Sequence, residues 1–200
     1  MGFTEQFGHP RGLVGSLVGH LMALKNTARS RWVVELLGPQ LGERVLEIGF
    51  GSGTDVRRVL QLVGPSGSVA GVDVSDAMLR QASGRNRGPI TRGQVLLKRG
   101  GAGALPFDDA SFDAAFSINS AQFWPDLASG FRELWRVVRE GGRVLVAVQP
   151  MQRGATSADS KRWGDTLLEA AKAAGWVDVD EHLGATAPPA AAVLARKRSS

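Results

Sequence analysis

The segment Arg44-Val-Leu-Glu-Ile-Gly-Phe-Gly-Ser-Gly53 constrains this chain more than any other. Its apolar half reads as a short strand, and its glycine half lets the backbone turn sharply and come close to a ligand. A helix over about Asp55 to Leu62, a turn at Gly64-Pro-Ser-Gly67 and a second apolar strand over 69–74 complete a βαβ unit. Such a unit leaves few architectures open. The chain should form a largely parallel sheet covered by helices on both faces, with its ligand crevice outside the carboxyl ends of the strands.

The rest of the chain supplies the other layers. Leu13, Leu17, Leu21 and Leu24, then Trp32, Val33, Leu36 and Leu37, recur at helical spacing over 11–37 and stop at Gly38-Pro39. Ser75 caps a helix to about Ala82, strands are expected at 95–98, 112–118 and 143–148, and a helix over about 127–139 ends at Gly141-Gly142. After a polar stretch, 152–159, come a helix over about 163–174 and strands at 176–181 and 191–196. No helix separates those two strands, so they should pair as an antiparallel hairpin. With 200 residues, 43% of them hydrophobic, the chain suits one compact domain: residues 43–200, preceded by a helical arm over 1–42.

Composition narrows the function. The absence of cysteine excludes disulfides, zinc–thiolate sites and cysteine nucleophiles, and no metal site is expected. No apolar run approaches the roughly 18 residues that span a bilayer and no basic-then-apolar leader opens the chain, which predicts a soluble, cytoplasmic protein. The formal charge is +5, and Arg80, Arg85, Arg87, Arg92, Lys98 and Arg99 follow one another without an intervening acid. Because no aromatic residues are interleaved to stack bases, this stretch reads as solvated surface and nucleic acid is not the expected partner.

Within the loop, Thr54 occupies the place where a dinucleotide fingerprint wants its third glycine, which disfavours a pyrophosphate. Glu47, two residues before Gly49, would repel a pyrophosphate and attract a cationic or amine-bearing ligand. Asp73, ending the second strand, is placed to accept hydrogen bonds from both hydroxyls of a ribose.

Four segments in order, Val45-Leu-Glu-Ile-Gly-Phe-Gly-Ser-Gly-Thr-Asp55, Gly71-Val-Asp-Val-Ser-Asp-Ala-Met78, Leu105-Pro-Phe-Asp-Asp-Ala-Ser-Phe-Asp113 and Glu133-Leu-Trp-Arg-Val-Val-Arg-Glu-Gly-Gly-Arg-Val144, resemble the class I S-adenosylmethionine-dependent methyltransferases. The likeness is greatest to the methyltransferase-11 type of domain, and it covers about residues 43–149. It implies a Rossmann-like seven-stranded sheet, order 3-2-1-4-5-7-6 with strand 7 antiparallel, and S-adenosyl-L-methionine as cofactor. It also implies that Glu47, Gly49, Gly51 and Gly53 line the methionine and sulfonium portion, Asp73 the ribose, and Val74 and Met78 the adenine, with Phe50 and Asn119 completing the lining. Proteins of this type usually carry an aspartate where this chain has Gly101. The backbone N–H of Ala102 is then expected to reach the adenine ring alone.

Methyl transfer is a direct displacement at an already activated carbon, so alignment matters more than a catalytic base. His20 and Asn119 are the candidates for a catalytic role, while His182 in the late hairpin should face solvent. Gln122, Phe123 and Trp124, after the fourth strand, are candidates for the acceptor pocket, Trp124 having packing against the next helix as its equal alternative. His9, Met22 and Asn26 from the arm would close the pocket, with 151–161 as a second lid. An arm of this kind would serve equally as a homodimer interface. The segment Asn119-Ser-Ala-Gln122 lacks the Asn/Asp-Pro-Pro-aromatic run of the family's amide- and adenine-methylating members. These features predict a methyltransferase acting on oxygen, nitrogen or carbon of a small molecule. RNA or protein methylation, or cofactor binding without transfer, are the alternatives.

Overall fold

In a computed structural model, which describes residues 27–199, the apolar runs become seven strands of one sheet and the amphipathic segments flank it. The elements are helix α1 (27–37), β1 (Arg44–Ile48), α2 (Thr54–Val63), β2 (Ser68–Asp73), α3 (Asp76–Arg85), α4 (Arg87–Thr91), β3 (Val95–Arg99), β4 (Phe112–Ile118), α5 (Leu127–Val137), β5 (Val138–Val148), α6 (Ser157–Ala173), β6 (Val177–Leu183) and β7 (Ala191–Arg196). The strand order is β3-β2-β1-β4-β5-β7-β6. β5 pairs with β7, and β7 with β6, antiparallel, while the other ladders are parallel.

Both faces of the central strands are covered, which is why those strands read as continuous apolar runs rather than alternating ones. Val45, Phe116, Leu145 and Ala192 pack under α1 and α2 on one face. Leu46, Ala115, Val146 and Val193 pack under α5 and α6 on the other. Arg143, on β5, fastens the first face. Its guanidinium donates to Leu37 O (2.6 Å) and Gly38 O (2.8 Å) at the end of α1 and forks onto both oxygens of Glu43 (2.8 and 2.7 Å). The carbonyls that α1 leaves unpaired at its C-terminus are thereby satisfied.

Two boundaries shift for identifiable reasons, and one helix is additional. The helix expected to reach Arg139 ends at Val137, because Val138 extends and pairs with Phe112 of β4. The helix expected from about Trp163 begins at Ser157, where Thr156 and Asp159 form a reciprocal capping box, so half of the anticipated second lid is helix. The short α4 was not expected at all. Its Pro89 lies in the first turn, where a missing N–H costs nothing.

Candidate functional site at the carboxyl ends of the strands

β1 delivers the chain into Gly49, whose N–H donates to Val72 O at 2.8 Å with φ +77°. A Cβ here would lie 2.4 Å from the Cβ and Oγ of Ser120, so the loop after β4 rests directly on the glycine. At Gly53, φ +73°, a Cβ would meet Ala82 Cβ and Asn86 Nδ2 at 2.7 Å, which sets α3 against the start of α2. Between them a Cβ on Gly51 would touch nothing within 4 Å, so this position faces open space. Phe50 turns inward instead. Only 3% exposed, its ring lies against Gly71 of β2, so Ser52 is the one side chain between Gly49 and Gly53 left outside the core.

Glu47 sits beneath this loop, 2% exposed, and its Oε2 has no hydrogen-bond partner. Burial, and then the neighbouring carboxylates Asp55 and Asp73, push its carboxyl well above the usual range, against weaker pulls from Arg58 and the Val56 N–H. Arg58 itself is paired with Asp55. Asp73 joins two loops: its Oδ2 accepts from Gly51 N and its Oδ1 from Ser75 N, both at 2.9 Å. Each oxygen keeps a second lone pair for a further donor. Ser75 caps α3 by accepting from Met78 N at 3.3 Å; Met78 packs partly into the core, whereas Val74 is 70% exposed. Gly101 bridges to Ala104, and Ala102 is buried.

The other side of the crevice is built by contacts that no motif announced. Asn119, with φ +52°, accepts from Gln149 N at 2.8 Å through Oδ1 and donates to Met151 Sδ at 3.5 Å. The Gln149 side chain accepts from Arg29 Nη1 and donates to Pro188 O, each at 2.8 Å. Arg29 is buried, which pulls its pKa down against the attraction of Asp55. Arg29 and Gln149 were missed from sequence, and Met151 was anticipated only as part of the second lid. Only the position of Gln149 immediately after β5 could have drawn notice.

Of the expected pocket residues, Gln122 is half-buried, its Oε1 enclosed without a hydrogen-bond partner, and Phe123 is 75% exposed. Trp124 takes the packing alternative. Its Nε1 donates to Ser120 Oγ at 3.0 Å, its ring lies edge-on to Phe131, and it occupies the space where a Cβ on Gly130 would stand. His9, His20, Met22 and Asn26 lie outside the described residues. His182 departs from its expectation of a solvent-facing ring, for it is half-buried with Nε2 enclosed. The basic stretch is divided among α3, α4 and β3, and four of its cations hold intramolecular partners: Arg85 with Thr54, Arg92 with Gln94, Lys98 with Pro106 O, and Arg99 with Val74 O and Asp76. Among the described residues no helix is long and apolar enough to cross a membrane.

A buried carboxyl group, outward-facing loop backbone and a carboxylate with spare lone pairs together suit a ligand that carries an ammonium group and a vicinal diol. Known proteins agree with that chemistry. Residues 45–142 match the family model described as "Methyltransferase domain". The chain is 29% identical to the methyltransferase YdaC of Bacillus subtilis over 164 residues, 82% of this chain and 88% of YdaC. It is 34% identical to the ubiquinone/menaquinone biosynthesis C-methyltransferase UbiE of Pasteurella multocida over 116 residues, 58% of this chain but only 43% of UbiE, so it spans less than half of that relative. A solved S-adenosylmethionine-dependent methyltransferase from Aquifex aeolicus shares the fold, with TM-score 0.68 and 20% identity over 83% of this chain and 88% of that one. The chain belongs to the class I methyltransferases that use S-adenosylmethionine as cofactor.

Proposed function

We propose that this protein transfers a methyl group to a small, apolar aromatic molecule, with a ring carbon as the leading acceptor atom, an enzyme of the EC 2.1.1 class. The observation that carries this reading is the exposure of Phe123 (75%) and Met151 (65%), which follow β4 and β5, with Asn119 donating to Met151 Sδ. Large apolar side chains in water are rarely without a function when they rim a crevice. Similarity to UbiE favours carbon as the acceptor.

In this reading Glu47 takes the cofactor's ammonium group and Asp73 its ribose hydroxyls, while the backbone from Gly49 to Gly53 follows the methionine portion. Glu47 Oε2, enclosed without a partner, and the free space beside Gly51 fit such a ligand. Bound there, S-adenosylmethionine supplies a methyl group already activated by its sulfonium. The chain's own contribution is alignment and exclusion of water. Asn119 is held by Gln149 N and so is better suited to orienting an acceptor than to removing its proton.

The test is transfer of labelled methyl groups from S-adenosylmethionine into a panel of hydroquinones, naphthols and phenols, with products assigned by nuclear magnetic resonance. Label entering an apolar product at carbon is expected. Label recovered only in RNA, protein or polar amines would refute the proposal.

A further inference from the structure

We propose that the base end of the cofactor site does not read adenine's exocyclic amino group, so this protein accepts cofactor forms altered at that position. The inference rests on the S-adenosylmethionine assignment and concerns how this chain's own residues meet that ligand.

Two anchors fix the direction of the base. Glu47 lies beneath the β1 loop, and Asp73 ends β2 with one oxygen on Gly51 N of that loop and the other on Ser75 N at the start of α3. A nucleoside whose sugar sits on Asp73 and whose 5′ end points to the β1 loop must extend its base outward, over the end of β3. That end is Gly100-Gly-Ala-Gly103, a turn that offers no polar side chain.

Adenine's amino group is a donor and needs an acceptor in the plane of the base. The Gly101 carbonyl is turned into the loop toward Ala104 N, at 3.4 Å, and the Asp73 carbonyl toward Gly100 N, at 3.1 Å, so neither is aimed outward at the edge of the base. Asp76, the acid nearest in sequence to Val74 on its C-terminal side, is held by Arg99 at 3.2 Å, and Arg99 also donates to Val74 O. The apolar surface offered there is Val74, 70% exposed. A Cβ on Gly101 would meet only Val74 Cγ1, at an ordinary 3.7 Å, and its φ lies outside the left-handed region. The position therefore has room for a side chain that would supply the acceptor, and it has none. The base is held by its faces and its ring nitrogens, and its amino edge opens outward.

Calorimetric titration of the wild-type chain and Gly101→Asp with three ligands tests this: S-adenosylhomocysteine, its analogue lacking the 6-amino group, and its N6-benzyl analogue. Wild type should bind all three within about threefold. Gly101→Asp should bind S-adenosylhomocysteine tenfold or more tighter than the deamino analogue, since a charge-assisted hydrogen bond is then gained, and should reject the benzyl analogue. A wild-type preference of tenfold or more for S-adenosylhomocysteine over the deamino analogue would overturn the inference, and this comparison stands even if the variant fails to fold. Failure of wild type to bind S-adenosylhomocysteine at millimolar concentration would instead remove the cofactor assignment beneath it.

Discussion

Glu47→Gln should make the ligand-free protein more stable as pH rises while making its cofactor site worse. Glu47 is 2% exposed, one of its oxygens has no partner, and Asp55 and Asp73 both repel its charge. Its pKa in the folded chain therefore lies above its unfolded value of about 4.3. Below that value both states hold the proton and the folded chain keeps the full advantage. Between the unfolded and folded pKa values the unfolded chain has lost its proton and the folded chain has not, so wild-type stability falls by up to about 1.4 kcal/mol per pH unit. For a domain of this size 1 kcal/mol corresponds to about 2–4 °C in Tm, so the loss approaches about 3–6 °C per pH unit. The amide has the same shape and no such dependence. Scanning calorimetry of both proteins without ligand from pH 5 to 9 isolates Glu47 and the carboxylates coupled to it, because titrating groups that do not interact with Glu47 cancel in the difference. The gap in Tm should open with pH and level off once Glu47 ionises. Affinity for S-adenosylhomocysteine should fall about tenfold or more in the variant, the effect of losing a hydrogen bond between charged groups. A gap that stays constant across the pH range would refute the account of Glu47.

Arg143→Met should cost about 2 kcal/mol in urea unfolding, less than breaking a fully buried pair, because Glu43 and the end of α1 lose their donor together while remaining partly open to water. Burial works against the Glu43 charge, but Arg143 and the Gln40 N–H outweigh it and hold the carboxyl below the usual range, so wild type loses this stabilisation as pH falls through the folded pKa. The variant's acid limb should be flatter. Gly53→Ala should destabilise by about 2–4 kcal/mol, combining a left-handed φ with contacts at 2.7 Å, measured as a lowered urea midpoint at unchanged m-value. Asp73→Ala should weaken S-adenosylhomocysteine binding at least tenfold, because it removes the proposed ribose acceptor and frees the Gly51 and Ser75 N–H groups that hold the loops, as titration calorimetry would show.

Where an element's cause lay within a few residues, the sequence reading and the structure coincide. β4 at Phe112–Ile118 and β7 at Ala191–Arg196 have the expected bounds, and Ser75 caps α3 as its position before Asp76 implies. The misplaced boundaries have different causes. Val137-Val138-Arg139 is compatible with helix on local grounds, and only the ladder to Phe112, distant in sequence, turns Val138 into strand. The start of α6 was legible, since Thr156 and Asp159 carry the spacing of a capping box. With aspartate in place of the usual glutamate or glutamine, and glycine and serine nearby, the signal read as loop. Phe50 shows the limit of a motif read by position: its place between two loop glycines says nothing of a side chain that turns back onto Gly71.

The same division runs through the site and explains why the cofactor is easier to name than the acceptor. Glu47, the three loop glycines and Asp73 belong to one βαβ unit, so their spacing along the chain already encodes their arrangement. The acceptor side has no such unit. Gln149 alone connects α1 through Arg29, the end of β4 through Asn119 and the β6–β7 loop through Pro188, and the Arg29 contact joins residues 120 apart in sequence. A network made of single contacts between distant segments leaves no local pattern, and each contact can change without disturbing the sheet that carries it. On the proposed reading, acceptor choice would be set by the hydrogen-bonded line from Arg29 through Gln149 and Asn119 to Met151, while the βαβ unit keeps the cofactor scaffold fixed.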